Sequence, residues 1–252
     1  MTTLGVVYRP QLPPENLRSV VLAAEESGVD SLWLWEDCFL ESGIACASAA
    51  LAWTSRLKVG VGLLPVPLRN VAITAMEAAT LDRLFPGRVT IGVGHGVQDW
   101  MGQVGARVAS PLRLLREYTD ALKALLAGER VTADGRYVKL TGVALDWPPA
   151  APMPVYLGGH GMKTLVLAGE VGDGTILDAS ADLEQVRAIR ATRDHPVVVY
   201  VETDSRDAAF VTDLVSQVAG AGATSVILQQ SAASEDPEGF VRFVGSLDGV
   251  RA

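Results

Sequence analysis

The chain has 252 residues, 49% of them hydrophobic and 20% charged, with 25 glycines and 13 prolines; such a composition supports a large buried core and excludes disordered and collagen-like chains. Its net charge of −8, from 29 acidic against 21 basic residues without any lysine- or arginine-rich run, repels phosphate backbones and anionic lipid and argues against nucleic acid as a partner. The mean hydropathy of +0.26 arises without an uncharged apolar run of about 18 residues, so no membrane span is predicted. The start MTTLGVVYRPQLPPENL has neither the charged nor the long apolar region of a secretory signal, which predicts a cytoplasmic protein. Cys38 and Cys46 are spaced too widely for a tight metal pair and have no histidine between them, so neither a metal nor a disulfide is expected.

In chain order, short runs rich in Val, Ile and Leu alternate with stretches of helical period. A strand at 4–8 is followed by a helix at 14–27, a strand at 31–35 by a helix at 43–54, and a strand at 57–63 by a helix at 70–84. The strand at 88–94 precedes a helix at 111–127. The VTADGRYVKL segment then reads as a hairpin turning at Asp134 and Gly135, an excursion expected on the catalytic rim. Strands at 154–158, 174–177, 197–202 and 225–229 pair with helices at 162–171, 182–191, 205–219 and 237–247. Pro14 and Pro111 at helix fronts and Gly28 and Gly128 just past helix ends follow the known asymmetry of helix boundaries.

The strand runs lack in/out alternation, which marks parallel strands buried on both faces. Eight strand–helix units of about thirty residues predict a single α/β domain over 1–252, a (β/α)8 TIM barrel. The rival, a doubly wound open sheet, would place a G-x-G-x-x-G after the first strand, where this chain has Arg9 and Pro10.

In barrels the chemistry gathers at the C-terminal ends of the strands. The second strand ends in WLWEDCF, which brings Trp35, Glu36 and Asp37 to the rim as general acid/base groups, heterocycle partners or merely solvated carboxylates. Glycines within the third strand, VGVGLLPVPLRN, point to a bulge, a close approach of backbone to ligand, or a packed kink. The fourth ends in GVGHGVQDWM and carries His95, placed either for catalysis or as a bystander in the loop. After the fifth, Gly158, Gly159 and Gly161 precede a helix at Met162 with Lys163 nearby, so free N–H groups and a positive helix end predict a phosphate cradle.

Three segments, AAEESGVDSLWLWED, LKVGVGLLPVPLRNVAITAMEAATLDRLFPGRVTIGVGHG and PVYLGGHGMKTLVLAGEVGDGTIL, resemble in order and spacing the bacterial luciferase-like superfamily of flavin monooxygenases and coenzyme F420-dependent oxidoreductases. The resemblance runs from the first strand to about Asp178 and implies a barrel that holds a deazaflavin or flavin ring in its mouth. It implies a cis peptide at Gly62–Leu63 backing the ring, cofactor contacts at Gly62, Leu63, Gly94 and Gly96, and phosphate contacts at Gly158, Gly159, His160, Gly161 and Met162. Where the family commonly has Asp and His after the second strand, this chain has Glu36 and Asp37. Val97 stands where a sugar-phosphate dehydrogenase of the family has a catalytic Glu, so sugar-phosphate oxidation is not expected. The implied activity is hydride transfer from reduced coenzyme F420 to a small organic substrate, with Glu36, Asp37 or His95 handling the proton and Trp35, Gln98 and Trp100 at the substrate. The alternatives are an FMN-dependent monooxygenase with a separate reductase partner, or a non-catalytic flavin-binding protein. Family members commonly form homodimers. The chain lacks an insertion that members carry late in the barrel, which predicts an open site or one covered by a partner subunit.

Overall fold

The computed structural model describes residues 2–247. In chain order its first half holds β1 (Thr3–Val7), α1 (Leu17–Ser27), β2 (Ser31–Leu34), α2 (Gly43–Trp53), β3 (Lys58–Pro65), α3 (Val71–Leu84), β4 (Val89–Gly94), α4 (Gln98–Gln103) and α5 (Pro111–Leu126). There follow β5 (Val131–Asp134), β6 (Lys139–Val143), β7 (Val155–Gly158), α6 (Met162–Val171), β8 (Gly174–Leu177), α7 (Leu183–Thr192), β9 (Val197–Glu202), α8 (Ala208–Gly220), β10 (Ser225–Gln229) and α9 (Pro237–Gly245). Parallel strands close into a barrel in the order β1-β10-β9-β8-β7-β4-β3-β2, the (β/α)8 architecture expected from the alternation. The chain is α/β throughout this barrel. The only additional sheet among the described residues is the antiparallel pair β5–β6.

Local chemistry sets the element ends. Pro111 opens α5, and Gly28 ends α1 with a left-handed φ of 75°. Ser42 caps α2 by accepting from the Ala45 N–H, and Asp182 forms a capping box with Gln185 at α7. Pro14 starts a single 3-10 turn rather than the α-helix itself, which begins at Leu17. The short α4 had no periodic signal of its own.

Two apolar layers hold the barrel. The outer one lies between strands and helices; α5 alone contributes Leu114, Leu115, Tyr118, Leu122, Leu125 and Leu126, all buried. The inner one fills the barrel with Val7, Trp33, Ile176, Val198, Tyr200 and Ile227. Rings of this size fit because inward strand positions facing them are glycine. A Cβ at Gly60 would stand 2.4 Å from Trp33 Cδ2, and one at Gly174 would stand 2.8 Å from the Tyr156 ring. Gly60 therefore serves packing, not a ligand.

The hairpin corrects an expectation. β5–β6 lies against the flank of α5, where the Glu117 carboxylate accepts from the backbone N–H groups of Arg136, Tyr137 and Val138. None of its residues lines the cleft at the barrel mouth. It enters the chain after a helix, where the connection returns to the N-terminal ends of the strands, so it is not a catalytic-rim loop.

Candidate active site

A cleft of about 360 Å³ opens at the C-terminal ends of the barrel strands, within the range of about 300–1,000 Å³ typical of small-molecule sites. Its floor is Gly62, Leu63, Ile176 and Tyr200. The pairing of β3 with β4 slips between Val61 and Leu64, forming a bulge, and the Gly62–Leu63 peptide is cis. Tyr200 donates its hydroxyl to the Gly62 carbonyl at 2.9 Å and is held protonated by burial, which pushes its pKa well up. The rings of Trp33 and Trp35 each sit 5.9 Å from that of Tyr200, centroid to centroid.

One wall comes from the loop after β2. Trp35, Glu36, Asp37 and Cys38 line it, but the two carboxylates differ. Glu36 accepts from Arg69 Nη2 at 2.6 and 2.8 Å and from its Nε at 3.1 Å, while Arg69 Nη1 bonds Glu77 at 2.6 Å. With a side chain only 12% exposed, Glu36 is committed to an ion pair, which argues against the proton-transfer role expected of it. Asp37 accepts only from neutral donors, Trp35 Nε1 at 3.1 Å and Gln11 Nε2 at 3.2 Å. Burial first, then the charges of Asp37 and Glu36, raise the pKa of the Cys38 thiol, so it stays protonated.

The opposite wall is His95, Gly96, Val97, Trp100 and Met101. Gly96 takes φ 67°, where a side chain would meet Pro65 and Met101 at 3.1 Å. His95 Nδ1 lies 3.0 Å from the Gly96 carbonyl; a carbonyl only accepts, so Nδ1 carries a proton and Nε2 is left towards Gly159, 3.5 Å from where its Cβ would be. Gln98 does not line the cleft. It braces the loop by donating to the carbonyls of His95 and Gly96, and Arg107 in turn donates to the Gln98 carbonyl.

At the far end lie Gly158, Gly159, His160, Asp178 and Ser180. Gly159 has φ 153°, and a Cβ at Gly158 would stand 2.5 Å from the Ile176 carbonyl. Gly161 caps α6, and Met162, half exposed, begins it. The first N–H groups of α6, on Met162 and Lys163, have no acceptor within the helix, so they can receive an anion. His160 Nδ1 meets Asp178 Oδ2 at 2.8 Å. Gly94 lies beneath the site, where its missing Cβ makes room for Leu63 Cδ1 at 2.7 Å.

The structure thus gathers Trp35, Glu36, Asp37, Gly62, Leu63, His95, Gly96, Trp100, Gly158, Gly159 and His160 in one cleft, and leaves Gly94, Gln98, Gly161 and Met162 behind or beside it. Sequence reasoning missed Tyr200, Ile176, Asp178 and Arg69. Tyr200 carried a signal, a lone aromatic residue in the VVVYVE strand, on the same face as Val198.

The sequence model of the luciferase-like monooxygenases matches residues 2–195. The chain belongs to that family. This luciferase-like chain is 34% identical over 179 residues to a 5,10-methylenetetrahydromethanopterin reductase of Methanolobus tindarius, covering 71% of this chain and 54% of that one. To the enzyme of the same name from Archaeoglobus fulgidus it is 28% identical over 254 residues, 94% of this chain and 76% of the relative. To an F420-dependent glucose-6-phosphate dehydrogenase of Beutenbergia cavernae it is 33% identical over 180 residues, 66% and 53% of the two chains. The match thus spans about half the length of the first and third of these relatives.

Among solved structures, an F420-dependent secondary alcohol dehydrogenase with an F420-acetone adduct superposes with a TM-score of 0.84 at 20% identity, covering 100% of this chain and 99% of that one. The F420-dependent tetrahydromethanopterin reductase of Methanopyrus kandleri gives 0.82 at 19% identity, covering 98% of each chain. The FMN complex of the oxygenating constituent of 3,6-diketocamphane monooxygenase from Pseudomonas putida gives 0.77 at 13%, covering 98% and 97%. At these identities the likeness is one of fold.

Proposed function

We propose that this chain is a cytoplasmic oxidoreductase that binds coenzyme F420 in the barrel-mouth cleft and reduces a small organic substrate bearing a carbonyl or an activated double bond. One observation carries the reading: a single cleft joins the inward bulge at Gly62–Leu63 to the glycine loop at the start of α6. That arrangement suits a flat ring at one end and a phosphate at the other. The F420-dependent relatives named above support the choice of deazaflavin.

The cradle fits the group. Gly159, at φ 153°, turns the chain at the cleft, and the N–H groups of Met162 and Lys163, without acceptors in the helix, would take an anion at its positive end. When bound, the reduced deazaflavin supplies the hydride. The chain's own residues do the rest. Tyr200 fixes the Gly62 carbonyl so that the bulge keeps its shape, Leu63 lies on the floor, and Trp35 and Trp100 wall the substrate and exclude water. Proton handling falls to His95 at Nε2, because Nδ1 is occupied by the Gly96 carbonyl.

Titration of the purified protein with oxidised deazaflavin and, separately, with FMN, followed by tryptophan fluorescence, tests this. Trp35 and Trp100 line the cleft, so quenching at micromolar deazaflavin is the expected result. Binding of FMN without deazaflavin would move the assignment to a flavin monooxygenase served by a reductase. Binding of neither would overturn the cofactor assignment.

A further inference from the structure

The charges around the cleft select against one class of substrate. Among the described residues, no lysine or arginine lines it, whereas Glu36, Asp37 and Asp178 do. The nearby cations are already answered by carboxylates. Arg69 holds Glu36 and Glu77, Arg107 holds Asp99, and Arg9, 5.7 Å from the Trp35 ring, bonds Glu202 and the Gln230 carbonyl. Asp178 faces His160 and Ser180 at the phosphate end.

Asp37 is different, because both of its hydrogen-bond donors are neutral, the Trp35 indole and the Gln11 amide. They hold the carboxylate at the N–H edge of the Trp35 ring and bring no positive charge of their own. An anionic group placed between Trp35 and Trp100 would meet that carboxylate in a cleft lined by no lysine or arginine among the described residues, and the guanidinium of Arg9, 5.7 Å from the Trp35 ring, is already paired with Glu202. The apolar surfaces of Val97, Trp100 and Met101 opposite offer it nothing either.

We propose that the substrate carries no anionic group: the cleft takes an uncharged or cationic organic molecule with an apolar body, and Asp37 enforces that choice. The inference deepens the function proposed above and rests on its premise that the cofactor phosphate occupies the glycine loop, where Lys163 stands. Phosphorylated sugars and carboxylic acids fall outside the class.

Benzoate, benzamide and benzamidine share one shape and differ by unit steps of charge, so they serve as probes. Their binding is measured by the perturbation of deazaflavin absorbance in the saturated protein, and by tryptophan quenching in the cofactor-free protein with inorganic phosphate present. The expected order of affinity is benzamidine, then benzamide, with benzoate weaker than benzamide by about tenfold or more. Asp37→Asn, which keeps the acceptor for Trp35 and Gln11, is expected to bring benzoate within about threefold of benzamide, both measured in the variant. Asp213→Asn, a carboxylate on α8 outside the cleft, is expected to leave the order as it is. Benzoate binding as tightly as benzamide to the native protein, or an unchanged ratio in Asp37→Asn, would overturn the proposal. Failure of deazaflavin to bind would count against the cofactor assignment, and the phosphate-supplemented series would still read the charge preference.

Discussion

At the residue scale, the cleft separates groups that look alike in sequence. Glu36 and Asp37 are adjacent carboxylates, yet Arg69 takes the first and leaves the second facing the cavity. Arg69, its side chain 15% exposed, lies between two acids, so Arg69→Met leaves Glu36 and Glu77 unpaired and should cost about 3 kcal/mol of stability, measured by urea unfolding. A cost below about 1 kcal/mol would mean that water replaces the guanidinium without loss. Gly159 admits no side chain in its conformation, and a Cβ there would press on Thr164 at 3.1 Å. Gly159→Leu should therefore abolish deazaflavin quenching while the circular dichroism spectrum stays native; unchanged affinity would place the phosphate elsewhere. The glycine loop was legible because its glycines and the start of the helix are contiguous in sequence. The fate of Glu36 was not, since its partner lies 33 residues away and nothing local marks Arg69 as that partner.

At the element scale, periodicity and boundary residues located the barrel strands to within one or two residues, because these signals are carried by neighbours along the chain. The hairpin was recognised as a hairpin but misplaced, since its docking depends on Glu117, a residue of the preceding helix. Partial desolvation pushes the Glu117 pKa up, but the N–H groups of Tyr137, Arg136 and Val138 and the Arg113 guanidinium outweigh it and bring it to about 2. A lowered carboxylate pKa means that the unfolded state binds the proton more readily. The hairpin's anchorage is thus complete above the ordinary value of 4.5 and weakens as the pH falls towards about 2. Protection of the β5 and β6 amides, taken relative to the intrinsic exchange rate at each pH, should fall over that window more than protection in β7 and β8. An equal fall in both would show that Glu117 does not hold the hairpin.

For the whole molecule, a ligand that binds only the folded barrel stabilises it. If deazaflavin binds the native state alone, a concentration of about 100 times Kd adds about 2.7 kcal/mol, and at roughly 2–4 °C per kcal/mol for a chain of this size the melting temperature rises by about 5–10 °C. An unshifted melting curve under those conditions would contradict binding to the folded barrel. The order of elements, the barrel class and the glycine loop at a helix front followed from sequence alone, for they depend on period, caps and composition within a few residues. The tertiary structure alone decided which glycines make room for Trp33 or Tyr156. It also decided that Tyr200 reaches across 138 residues to the Gly62 carbonyl and that Asp37 lines the cleft with neutral donors. The reason is closure of the sheet: strands far apart in sequence turn their side chains into one small volume, and occupancy of that volume is settled by partners that no local pattern names.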